Sequence, residues 1–136
     1  MVKIDIIYEG DLHCQLIHGP SKDEIQTDAP VDNNGRGEAF SPTDLMAASL
    51  GSCMMTVMGI AAKRQGVDLT GTKITVEKEM VTAPVRRVGT IAVKFTMPKG
   101  IDPAKREILE RAAHACPVHK SLSPDVQTPT TFNYPD

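Results

Sequence analysis

The chain has 136 residues, with 15 Lys and Arg against 17 Asp and Glu and a formal net charge of −2. That balance excludes a nucleic-acid binder, which carries an obvious basic excess, and 24% charged with 40% hydrophobic residues excludes a disordered chain. Domains usually run about 100–150 residues, so residues 1–136 are expected to form a single domain. The three cysteines are too few, and odd in number, for a disulfide scaffold. Thiols used this way belong to a reducing compartment, so a cytoplasmic location is expected. The N-terminal residues lack the long apolar stretch of a signal peptide.

The first third reads as short strands. Val2, Ile4, Ile6 and Tyr8 alternate with polar residues, Glu9-Gly10-Asp11 forms a turn, and Leu12, Cys14 and Leu16 share a face of a second strand. Gly19-Pro20-Ser21 turns again before a third strand over Asp23–Thr27, and residues 28–40 form a loop rich in Gly, Asn and Pro. Ser41-Pro42-Thr43-Asp44 then supplies an N-cap, a proline at the first helical position and a carboxylate in the first turn. Lys63 and Arg64 suit the far end, and Gly66 a left-handed stop. The predicted helix, Pro42–Gln65, would be roughly 36 Å long.

Its stretch from Leu45 to Ala62 is uncharged and about long enough to suggest a membrane span. The abundance of Ala, Ser, Gly and Met instead predicts a helix buried on most sides of a soluble core, so no membrane association is expected. Two strands follow, carrying Ile74, Val76 and Met80, then Ile91, Val93, Phe95 and Met97. Asp102-Pro103 opens a second helix, with Pro117 ending or kinking it before a short helical turn through Ser121. Val126–Phe132 closes as a strand, at an edge because of Pro129. The order predicts an α+β domain.

The chemistry rests on the cysteines. Cys14, on an apolar strand face, reads as core. Cys53 lies about three turns into the long helix. Cys116 sits at the helix break in Ala115-Cys116-Pro117-Val118-His119, near His114 and Lys120. The break supplies exposure, and helix starts and nearby cations lower a thiol pKa. Cys53 and Cys116 meet if their two helices pack together. Cys116-x-x-His119 with Cys53 or His114 also admits a zinc site, although no Cys-x-x-Cys pair is present. The Met46, Met54, Met55 and Met58 cluster suits core filling or an apolar pocket beside Cys53. Arg86-Arg87 reads as exposed strand charge that resists aggregation.

The run Gly37-Glu38-Ala39-Phe40-Ser41-Pro42-Thr43-Asp44-Leu45-Met46-Ala47-Ala48-Ser49-Leu50-Gly51-Ser52-Cys53 resembles the first cysteine motif of the OsmC/Ohr family, the osmotically inducible and organic hydroperoxide resistance proteins. Ala115-Cys116-Pro117-Val118 is similar to its second cysteine motif. The resemblance covers essentially the whole chain, and it sits with the less characterised branches of the family. It implies an α+β fold of antiparallel sheets around long central helices, assembled as an intertwined homodimer. It implies a thiol-dependent reduction of hydroperoxides, organic ones by preference. Cys53 would be the peroxidatic thiolate, becoming a sulfenic acid, and Cys116 the resolving thiol that condenses with it to a disulfide. A thiol reductant, in some members a lipoyl group, would restore the dithiol, with no metal or cofactor.

The family holds its thiolate with an arginine oriented by a glutamate. That glutamate position is Thr43 here; the carboxylate is Asp44, about 100° further round the helix. Arg36, the one arginine before Cys53, is the candidate cation. Asp44 also reads as a helix cap and Arg36 as a loop charge. Two other functions fit the same residues: a non-enzymatic dimeric binder of small apolar ligands, and a thiol redox sensor with little turnover.

Overall fold

A computed structural model describes all residues, Met1–Asp136. Backbone contacts divide the chain into two compact units, Met1–Met46 and Ala47–Asp136.

In the first unit, alternating apolar residues form β1 (Ile4–Gly10), β2 (His13–His18) and β3 (Glu24–Asp28), an antiparallel sheet in the order β1-β2-β3. Leu12, expected on the second strand, instead occupies the tight turn before it: Gly10, Asp11 and Leu12 all have positive φ, at 86°, 52° and 60°. Ile6 pairs across from Leu16, and Tyr8 from Cys14. Nothing within the unit covers that face, so Ile4, Ile6 and Tyr8 are exposed and Cys14, expected in the core, is only half-buried. A turn of 3-10 helix, Val31–Asn33, interrupts the following loop.

The long helix α1 (Pro42–Arg64) begins and ends as its sequence signals dictate. The Asp44 N–H donates to Ser41 Oγ at 3.0 Å, and the Ser41 N–H donates to Asp44 Oδ2 at 3.0 Å. This is a reciprocal capping box with aspartate in the usual glutamate role. At the far end Gly66 adopts φ 67°. There the Val67 N–H reaches the Ala62 carbonyl and the Gly66 N–H that of Lys63, at 2.9 and 3.3 Å, the paired bonds of a Schellman stop.

Ala47, Leu50, Gly51, Met54, Met58 and Ala62 are buried, one stripe of α1. Ser49, Ser52, Thr56 and Ile60 on another side are exposed. The expectation of burial on most sides is therefore corrected: a single chain covers one stripe, because it has no further element to lay on the small polar residues opposite. α1 is long and apolar enough to cross a membrane, yet its Leu50, Met54 and Met58 are fully buried core residues.

In the second unit β4 (Lys73–Val81) pairs antiparallel with β5 (Arg87–Thr96). Ile91, Val93 and Phe95 of β5 are buried, as alternation requires. Then come α2 (Pro103–His114), capped by the Asp102 side chain, and the short α3 (Pro117–Ser121). The chain returns as β6 (Thr130–Asn133), an edge strand beside β5. β6 runs parallel to β5, which modifies the expectation of antiparallel sheets. A strand reached through a helical crossover arrives in the same direction as the one it left. Phe132 stacks on Phe95 at 4.8 Å. Leu109 and Ala113 of α2 complete the core.

Candidate functional site

Gly51 sets how closely α1 approaches its sheet. A methyl group there would lie 2.8 Å from Val76 Cγ2 and 3.4 Å from Ile74 Cγ2 on β4. Two residues on, and about 200° round the helix, Cys53 turns away from that contact and is half-buried.

Cys116 is placed by the break between α2 and α3. Pro117, which has no N–H, takes the first position of α3, and Cys116 becomes its N-cap with extended backbone. Its Sγ accepts the His119 N–H at 3.3 Å. The helix break was expected to leave this thiol reachable; it is fully buried instead, because an N-cap side chain folds back over its own helix start rather than outward. Cys53 is thus the more accessible of the two thiols.

Cys53 is a side-chain hydrogen-bond neighbour of Cys116. Burial pushes the Cys116 thiol up and the Cys53 side chain adds to that, while the His119 N–H opposes it. Adjacent thiols of this kind can pass two electrons to an acceptor and close a disulfide without rebuilding the fold. No group of three or more His, Cys, Asp or Glu side chains comes together as a metal site, so the Cys116-x-x-His119 spacing gathers no third ligand.

His119 lies beside this pair. Its Nε2 is 3.2 Å from Thr128 Oγ1, while Nδ1 is buried with no hydrogen-bond partner. The His114 ring lies T-shaped to that of His119 with centroids 6.4 Å apart, and His114 and Phe132 are likewise T-shaped with centroids 5.9 Å apart.

In the first unit Arg36 has a carboxylate partner, and it is Asp28, at 3.5 Å. Asp28 is buried at the end of β3 and also meets His13 Nδ1 at 2.6 Å and accepts the Glu38 N–H at 3.1 Å. The hydrogen bond to His13 lowers its pKa most; burial raises it, and the charges of His13 and Arg36 and the Glu38 N–H lower it further. Asp44, the other sequence candidate, caps α1 through Ser41. The sequence reading missed Asp28 and His13. Asp28 reads as an ordinary loop charge just past a strand, and nothing local announces that it is buried. Arg36 within eight residues was the one available signal.

The OsmC family profile, described as OsmC-like protein, matches residues 35–130. A crystal structure from Psychrobacter arcticus 273-4, of a protein provisionally described as osmotic stress induced and detoxification response, is 44% identical. It superposes with a TM-score of 0.92 over 98% of this chain and 96% of that one. The chain belongs to the OsmC family.

More distant structures share the fold. The organic hydroperoxide resistance protein OsmC of Legionella pneumophila is 18% identical with a TM-score of 0.79, over 98% of this chain and 96% of that one. A Vibrio cholerae protein provisionally described as organic hydroperoxide resistance, with captopril in one of its active sites, is 16% identical. Its TM-score is 0.77, over 98% of this chain and 91% of that one. No curated protein sequence matches the chain.

Proposed function

We propose that this chain is a thiol peroxidase that reduces hydroperoxides, preferring organic ones. The observation that carries the reading is the contact between Cys53 and Cys116, two thiols from distant parts of the sequence brought side by side. Membership of the OsmC family and the description of the Legionella protein, which shares the fold, support it.

The Cys53 thiolate attacks the terminal oxygen of the hydroperoxide. The O–O bond breaks, the alkoxide leaves and takes a proton as the alcohol, and Cys53 is left as a sulfenic acid. Cys116 attacks that sulfur, water departs, and the disulfide forms. An external dithiol, of the lipoyl type by resemblance, exchanges with the disulfide and restores both thiols. Partial exposure suits Cys53 to meeting the substrate, and burial suits Cys116 to waiting for the sulfenic acid rather than competing for peroxide. Arg36 is the proposed cation for the thiolate; its carboxylate partner in the structure is Asp28 at 3.5 Å, while Asp44, the candidate from the sequence, caps α1 through Ser41. The working unit is a homodimer in a reducing, cytoplasmic compartment, and the cycle calls for no cofactor.

The test is turnover of cumene hydroperoxide by the reduced protein with a dithiol reductant. Replacing Cys53 with serine removes the nucleophile, so consumption should fall to the background rate. Retained consumption in Cys53→Ser would overturn the proposal.

A further inference from the structure

A buried thiol cannot attack until it loses its proton, because the thiolate is the reacting form. Cys116 is buried, and burial holds its proton on. The resolving step therefore requires a group that takes this proton inside the protein.

The surroundings of His119 answer that requirement. Its backbone N–H rests on Cys116 Sγ at 3.3 Å, and its ring nitrogen Nδ1 is joined to that same backbone nitrogen by four covalent bonds. Nδ1 is buried with no partner, while Nε2 has the Thr128 hydroxyl at 3.2 Å. A buried N–H left without an acceptor is the costlier defect, and an unused lone pair the cheaper one. The ring proton therefore sits on Nε2, directed at Thr128, and Nδ1 carries a free lone pair. Titratable groups close to this ring include Cys116 at the start of its own helix, Cys53 of α1 through Cys116, and His114 of α2, whose ring centroid is 6.4 Å away. On β6, Phe132 packs on His114.

We propose that His119 is the proton acceptor that activates Cys116 for attack on oxidised Cys53, with Thr128 fixing its tautomer. The inference rests on the disulfide-forming cycle proposed above. In the resting protein Nδ1 makes no hydrogen bond to Cys116 Sγ, so the two must close up within the oxidised state, as catalytic hydrogen bonds commonly tighten only on reaction. The Cys116 S–H proton then passes to Nδ1, the thiolate attacks the sulfur of the Cys53 sulfenic acid, and the S–O bond breaks. The leaving hydroxide takes the proton back from the imidazolium and departs as water. Both sulfurs end in the disulfide, and no external oxidant enters the step.

The two chemical steps can be timed separately in a single turnover of the full-length reduced protein with one equivalent of cumene hydroperoxide. Dimedone trapping and mass spectrometry report the sulfenic acid on Cys53, and alkylation of remaining thiols reports the disulfide. In His119→Gln, sulfenic acid should form at the wild-type rate. Disulfide formation near neutral pH should slow by about 100-fold, the usual scale of a lost general base. The deficit should shrink as pH rises toward about 9, where hydroxide replaces the base. Thr128→Val, which keeps the imidazole but frees its tautomer, should slow the same step less, and serves if His119→Gln does not fold. Wild-type rates of disulfide formation in whichever of these variants folds would overturn the inference and leave the peroxidase reading intact. Failure of wild-type Cys53 to oxidise would overturn that reading and this inference with it.

Discussion

Cys53, in the middle of α1, is the side-chain neighbour of Cys116 at the start of α3. The pair is unequal: Cys53 is half-buried and Cys116 fully buried. A disulfide between equally exposed thiols would form in either order. Here unequal access assigns the first encounter with a solute to Cys53, and the local chain explains the difference. Cys53 lies on a helix face turned away from the sheet, whereas Cys116 is folded inward as an N-cap.

Asp28 makes a prediction in acid. Its pKa is held below the ordinary value of 3.8, first by its hydrogen bond to His13. The unfolded chain therefore binds more protons in that range, and stability rises with pH there. The contribution is complete above about 3.8 and is lost as pH falls through the lower folded value. Asp28→Asn should lower Tm at neutral pH and flatten the fall of Tm in the acid range. Thermal melts of both proteins from neutral pH down to about pH 3 check this; parallel curves would contradict it.

Gly51 makes a prediction about sign. Alanine in place of a helical glycine usually stabilises by about 1 kcal/mol. At Gly51 the added methyl would meet Val76 at 2.8 Å, and valine is stiff about χ1. Overpacking of this kind costs about 1–3 kcal/mol. Gly51→Ala should therefore be neutral to destabilising by about 2 kcal/mol, read as a lower Tm or urea midpoint. A clear gain in Tm would contradict the close packing of α1 on β4.

The apolar side chains left open make a prediction about assembly. Ile4, Ile6 and Tyr8 are 58%, 63% and 62% exposed on one strand, and α1 leaves Ser49, Ser52, Thr56 and Ile60 uncovered. Large apolar groups exposed together on one strand, as Ile4, Ile6 and Tyr8 are, mark a contact surface. Light scattering should give twice the chain mass of 14.7 kDa, and Ile6→Lys should weaken the assembly. A particle of 14.7 kDa in the wild type would contradict the proposed homodimer.

Much of the fold was legible because its signals are local. Ser41 with Asp44 fixed one end of α1 and Gly66 the other, each through hydrogen bonds within a few residues. Alternation in β4 and β5 placed Ile91, Val93 and Phe95 inward. What local patterns do not carry is burial set by distant neighbours. Cys14 reads as core, yet the face it shares has no cover within its unit. Cys116 reads as exposed by a proline break, yet its capping conformation buries it. Asp28 reads as a loop charge, and only the approach of His13 and Arg36 makes it a buried hub. The parallel direction of β6 follows from the path of the crossover, which no residue pattern in β6 itself encodes.

The central claim is that Cys53 and Cys116 form one redox couple. The most direct measurement treats the reduced protein with one equivalent of cumene hydroperoxide, blocks remaining thiols and maps the disulfides by mass spectrometry. The account predicts a Cys53–Cys116 disulfide with Cys14 still alkylated as a free thiol. A Cys53 that remains a thiol, with no bond to Cys116, would contradict it.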